Sequence, residues 1–217
     1  MSTAVEPLRL AEPQEAAPLA DFLERLLRYD RAAAVRLQTA GTTLAVFARL
    51  PLGQTGPLVV RTARLAEPAP LDVTVSAGQW LEELARDASA TDVSLPPAIT
   101  GPSWAGLLPP RAGWEHVEDL ATAPLGAAVA AAIGEFRKAA GATEGGDALA
   151  EAIWSRRVHP SGLTLRALHA AHLTGLLRQS PQLALHRHPS WLRLTAPRGS
   201  VAIRRSTPGF GLTLTPN

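Results

Sequence analysis

Apolar and polar positions along this chain recur with two different periods, and each change of period marks a new element. Leu19, Phe22, Leu23 and Leu26 fall at helical spacing with Leu27 beside them, while Asp21, Glu24, Arg25 and Arg28 fill the opposite side. With Pro18 suited to a first turn, the pattern predicts a helix from about 15 to 29. The period then drops to two. AAAVRLQT, a turn at AGT and TLAVFARL read as a hairpin, with Val35 and Leu37 on one face and Leu44 and Val46 matching them. PLVVRTARL (57–65) and LDVTVS (71–76) read as a third and a fourth strand, so an antiparallel four-stranded meander is expected. Ser76 and Gln79 have the spacing of a capping box, which opens a helix through roughly Asp87.

Residues 92–124 break every period. Pro96, Pro97, Pro102, Pro109, Pro110 and Pro124 interrupt the stretch, with Trp104 and Trp114 between them. A disordered linker seldom carries two tryptophans, so an ordered crossing segment anchored by its indoles is expected. Within it WEHVED (114–119) reads as a solvated acidic loop.

Helical spacing returns in an Ala-rich run at about 125–140, stopping at Gly141. The ATEGG stretch reads as a loop, and Asp147 as the cap of a helix carrying Leu149, Ile153 and Trp154 that ends near His159-Pro160. Ser161 or Thr164 would cap a third helix through about Leu177. LALHRH then reads as a strand, and residues 190–205 as a hairpin that turns at APRGS. Only one register buries Leu192, Leu194, Val201 and Ile203 together, and it turns the arginines outward. Three helices and a closing hairpin is the element order of a winged helix.

The fold class that follows is α+β: an N-terminal four-stranded meander flanked by helices, then a helical region closed by a C-terminal β-hairpin. Three regions are expected, an acidic α/β region at 1–91, the crossing segment at 92–124 and a basic region at 125–217.

Charge sharpens that division. Residues 1–121 hold ten arginines against fifteen acidic groups, a net −5; residues 122–217 hold ten arginines and Lys138 against four, a net +7. Beyond Glu151 there is no carboxylate, but nine arginines and five histidines. Such asymmetry points to a polyanionic partner or to attraction between halves. The candidate anion-binding or nucleic-acid-binding residues are Arg187, Arg193, Arg198, Arg204 and Arg205, on and around the terminal hairpin, where exposed cations would meet phosphates. Because lysine is nearly absent, arginine at any one position carries less meaning than usual.

Composition excludes much chemistry. Without cysteine there are no disulfides, thiolate nucleophiles or cysteine-ligated metals. His169 and His172 lie three apart among leucines, near in sequence to His159, His186 and His188. With no carboxylate to support them, they read as core or near-core histidines rather than metal ligands. No phosphate-loop, dinucleotide, nucleophile-elbow or zinc-protease motif occurs, so no catalytic residue, cofactor or metal site is assigned. The longest low-polarity run, 125–134, is far shorter than the roughly 20 residues of a membrane helix, and the first twenty residues lack a secretory apolar core. A soluble cytoplasmic protein with no membrane partner is expected.

The leading expectation is a non-enzymatic binding or interaction protein whose basic C-terminal half meets an anionic partner, with nucleic acid or self-association as candidates. A winged-helix-like nucleic-acid binder is one alternative. An enzyme using histidines and arginines of the C-terminal half on an anionic substrate is the other. A binder's arginines should spread over a convex face, whereas an enzyme's should converge with histidines in one pocket.

Overall fold

The computed structural model describes residues 7–53, 56–87, 89–140 and 146–205; the stretch 141–145, which holds most of ATEGG, lies outside them. The fold is α+β. Strand β1 (Leu8–Arg9) leads into helix α1 (Ala16–Leu27) and strands β2 (Ala34–Ala40), β3 (Thr43–Arg49), β4 (Leu58–Arg64) and β5 (Asp72–Ser76). Helix α2 (Ala77–Arg86) and strand β6 (Asp92–Val93) follow, and β6 pairs with β1. After the crossing segment come β7 (Glu115–Ala121), helices α3 (Thr122–Ala140), α4 (Gly146–Trp154) and α5 (Leu165–Leu173), and strands β8 (Gln182–His188), β9 (Trp191–Ala196) and β10 (Gly199–Arg204).

Helix α1 forms for the reason its spacing suggests: Leu19, Phe22, Leu23 and Leu26 are all buried on one side. At α2 the Ser76 hydroxyl accepts the Gln79 amide at 3.4 Å, capping an otherwise unsatisfied N–H. The four N-terminal strands stand where alternation puts them, but β5 returns to pair with β2 rather than following β4. Their order β5-β2-β3-β4 is therefore a Greek key, in which the fourth strand lies beside the first.

All main strands belong to one antiparallel sheet of order β5-β2-β3-β4-β10-β9-β8-β7. The two halves join where β10 pairs with β4, in register Gly199 with Arg61 through Ala202 with Leu58. Reading outward from that seam, three consecutive strands and one further strand repeat on each side. Helices cover one face, with α1 against β4 and α5 against β10. Beneath them one apolar cluster runs from Leu8 to Val201, through Leu23, Val46, Val59, Leu168 and Leu194. No helix of the described residues is long and apolar enough to cross a membrane.

The other face is covered by the crossing segment. The Ile99 amide donates to Thr74 O at 2.9 Å, Arg36 donates to Ala105 O, and Trp114 Nε1 donates to Pro110 O at 2.8 Å. Trp104 and Trp114, both half-buried, pack on a small second apolar cluster of Leu58, Trp191 and Ala202.

Three expectations are corrected here. The acidic WEHVED stretch is not a loop: it is mostly edge strand β7, paired with β8 and bulged between His116 and Glu118, so its polarity reflects an exposed edge. The third C-terminal helix ends at Leu173, because Gly175 takes a left-handed backbone (φ 74°) and only a short 3₁₀ turn, Leu176–Arg178, follows. The element order of a winged helix does not become its topology. The terminal hairpin does not project; β9 and β10 are central strands, with β8 on one side and β4 on the other.

Candidate anion-binding surfaces

The hairpin register has Leu192, Leu194 and Val201 buried under the helices and Ile203 partly so, as that register requires. The arginines then part company. Arg193 and Arg204 share the face opposite the helices, opposite Ala202 and Trp191 respectively. Arg193 does not face open solvent: its guanidinium lies 4.1 Å from the Trp114 ring centre, and among the described residues its buried Nε has no hydrogen-bond partner. Burial lowers its pKa. Arg204 stays exposed, 5.2 Å from the Trp191 ring centre. Arg187 is spent locally, donating at 2.8 Å to Glu115 and holding that carboxyl below the usual glutamate range. Arg205 sits past the end of β10, with its amide on Ser190 O at 3.0 Å and Nη1 within 3.4 Å of the His188 and Pro189 carbonyls.

Arg198 is in the β9–β10 turn at the other end of the hairpin. There it meets three arginines that the sequence reading did not select. Arg61, on the helix side of β4, donates from Nε to Pro18 O at 3.2 Å. Burial comes first among the causes that lower its pKa, followed by the positive charges of Arg198 and Arg25, with Asp21 opposing. Arg25 of α1 and Arg178 of the 3₁₀ turn converge at Gly175: a Cβ there would lie 3.7 Å from Arg25 Nε and 3.3 Å from an Arg178 amine. Nearby, the buried Glu15 carboxylate accepts from Arg64 Nε at 3.0 Å and lies 3.5 Å from Arg198. Four guanidiniums from both halves thus surround the seam on its helix-bearing side. Each comes from a different element, so no local sequence motif announces the group.

A second concentration of arginines lines a cleft of about 430 Å³ beside the start of α5, where Arg157 and Arg205 meet and the backbone of β10 runs past at Ile203 and Arg204. Arg166 also reaches it, bonded at 2.6 Å to Glu151, and Ser161 and Thr164 add hydroxyls. Behind Ser161, His159 Nδ1 lies 2.9 Å from the serine Oγ and accepts the Ser161 amide at 3.1 Å, while Nε2 lies 3.0 Å from Glu118. The Gly162 amide closes the same turn onto His159 O, which makes this trio a rigid support for the cleft wall.

The remaining histidines do not join it. His169 stacks on Trp154 with centroids 4.1 Å apart, and burial, helped by His172, lowers its pKa to about 4. His116 and His186 face each other across β7 and β8. Among the described residues, no three His, Asp or Glu side chains are grouped so as to hold a metal ion.

Residues 3–106 match the family model described as Domain of unknown function (DUF8010), and residues 109–208 match Domain of unknown function (DUF8185). The two matches meet between Trp104 and Trp114. No curated protein matches the chain. Among solved structures, the chain resembles a beta sliding clamp of Caulobacter crescentus, with TM-score 0.59 and 15% identity over 95% of this chain and 66% of that one. The pol III beta of the same organism gives 0.54 and 14%, over 87% and 63%. A DNA polymerase sliding clamp from Pseudomonas aeruginosa gives 0.53 and 11%, over 92% and 64%. The chain thus spans just under two thirds of the length of these structures, and at such identities the likeness is one of fold: this chain has a sliding-clamp-like fold.

Proposed function

We propose that this protein is a non-enzymatic interaction protein that holds the sugar–phosphate backbone of nucleic acid against the arginines around its central seam. The observation that carries the reading is the convergence of Arg25, Arg61, Arg178 and Arg198. Like charges gathered on one surface repel, and an approaching polyanion relieves that repulsion while releasing its own counterions. Guanidinium groups suit phosphate oxygens geometrically as well as by charge. The clamp-like fold adds support, since the solved structures that share it include DNA polymerase sliding clamps. Phosphate contacts position without reading sequence, so the expected binding is indifferent to base order. Of the five arginines singled out from the sequence, Arg198 belongs to this surface; Arg187 and Arg193 are engaged by Glu115 and Trp114.

The test is fluorescence anisotropy with a generic duplex and a single strand over a salt series. Affinity should fall steeply with salt, and replacing Arg25, Arg178 and Arg198 together by alanine should flatten the slope by up to about three phosphate contacts. Absence of binding to either probe at micromolar protein and low salt would overturn the proposal. So would a slope that the triple variant leaves unchanged.

A further inference from the structure

We infer that the arginine-lined cleft beside α5 is a separate site, which takes a terminal phosphate group. Arg157 and Arg205 line it, and among the described residues neither has a carboxylate within ion-pair distance, whereas Arg204 borders it with its guanidinium over Trp191 on the other face of the sheet. The one carboxylate in the lining, Glu151, already bonds Arg166 at 2.6 Å, so it does not cancel the charges of Arg157 and Arg205. Two guanidiniums beside one hollow form a complement to a dianion: Arg157 is free to donate two parallel hydrogen bonds, and Arg205 keeps donors beyond the Nη1 that lies near the His188 and Pro189 carbonyls.

Shape narrows the ligand. The cleft's roughly 430 Å³ lies within the range of small-molecule pockets, and its concave form admits a phosphate with a modest group attached. Such a hollow suits a phosphate at the end of a molecule better than the internal phosphodiesters of a duplex, which lie along a convex cylinder. Leu192 and Ile203 form an apolar part of the wall, which strengthens hydrogen bonds made beside it by keeping water away. Ser161 and Thr164 also line the cleft, and the Ser161 side is braced by His159 and Glu118. A terminal phosphate comes either on a small metabolite or at the 5′ end of a nucleic-acid strand, and the chemistry of recognition is the same.

Calorimetric titration of the full chain with pyrophosphate, at fixed ionic strength held by chloride, tests this directly. Saturable one-to-one binding is expected. It should weaken by about tenfold in each of Arg157→Ala and Arg205→Ala, the usual loss for one charge-assisted contact. Arg86→Ala, which removes the same charge on α2, should leave it unchanged. Circular dichroism of each variant checks that the fold is kept, and Arg157→Gln gives a second reading if the alanine variant is unstable. A parallel titration compares one oligonucleotide with a 5′-phosphate and with a 5′-hydroxyl. Preference for the phosphorylated strand would identify a strand end as the source, and pyrophosphate binding without that preference a small molecule. No saturable binding of pyrophosphate or of the 5′-phosphate up to millimolar concentration would overturn the inference, as would equal weakening by Arg86→Ala.

Discussion

The seam between β4 and β10 depends on a single missing carbon. A Cβ on Gly199 would lie 2.2 Å from Val60 O, 3.3 Å from its carbonyl carbon and 3.5 Å from Arg61 Cα. Carbon and carbonyl oxygen on neighbouring strands normally approach to about 3.3 Å, so Gly199→Ala must drive the strands roughly 1 Å apart at that point. Hydrogen bonds stretched that far are lost, among them Thr62 N–H to Arg198 O, which is 3.1 Å long. Two such bonds at about 1 kcal/mol each, with 1–3 kcal/mol for overpacking, give about 3–5 kcal/mol. For a chain of this size that lowers Tm by roughly 6–20 °C. Urea denaturation followed by tryptophan fluorescence would measure the loss. Amide exchange would locate it in Leu58–Arg64 and Gly199–Arg204. Gly106→Ala is the control: a Cβ there meets nothing within 4 Å, and its cost should stay within about 0.5 kcal/mol. A Gly199→Ala protein with an unchanged midpoint and unchanged exchange in β4 would refute the pairing of the two halves through this seam.

Other expectations rest on other layers of the structure. Leu23 is fully buried, so Leu23→Ala should destabilise by about 2–5 kcal/mol in chemical denaturation, and an unchanged midpoint would mean that α1 is peripheral. His169 has a folded pKa of about 4 against about 6.5 unfolded, so stability should be full above pH 6.5 and fall as pH drops toward 4. His169→Phe keeps a ring on Trp154 and should flatten that stretch of the stability–pH curve; an equally steep curve would assign the dependence to other groups. The crossing segment, with Trp104 and Trp114 packed on the sheet, should resist limited proteolysis, and a first clean cut between 92 and 120 would contradict that packing.

What the chain determined by itself was local burial. The spacing of Leu19, Phe22, Leu23 and Leu26 specified α1, and the alternation of Val35, Leu37, Leu44 and Val46 specified the first hairpin. Both patterns record which side of an element leaves water, and a side chain carries that preference without knowing its partner. The same logic placed Leu192, Leu194 and Val201 inward, because a one-residue slip would have exposed them all. Only the tertiary structure decided which elements meet. Pairing between β4 and β10 joins strands from opposite halves of the chain, and nothing in either strand's period names the other. That pairing turned an expected closing hairpin into the middle of an eight-stranded sheet. It also dispersed the five selected arginines. Strand alternation and the two ends of the hairpin sent Arg193 beneath Trp114, Arg198 to the seam, Arg204 over Trp191 and Arg205 to the cleft. Arg25, Arg157 and Arg178 stayed hidden in the sequence because each is an ordinary surface cation in its own element, and Arg61 because its half-buried place under α1 is set by tertiary packing. Charge acts through space, and only the assembled sheet brings Arg25, Arg61 and Arg178 within range of Arg198, and Arg157 beside Arg205.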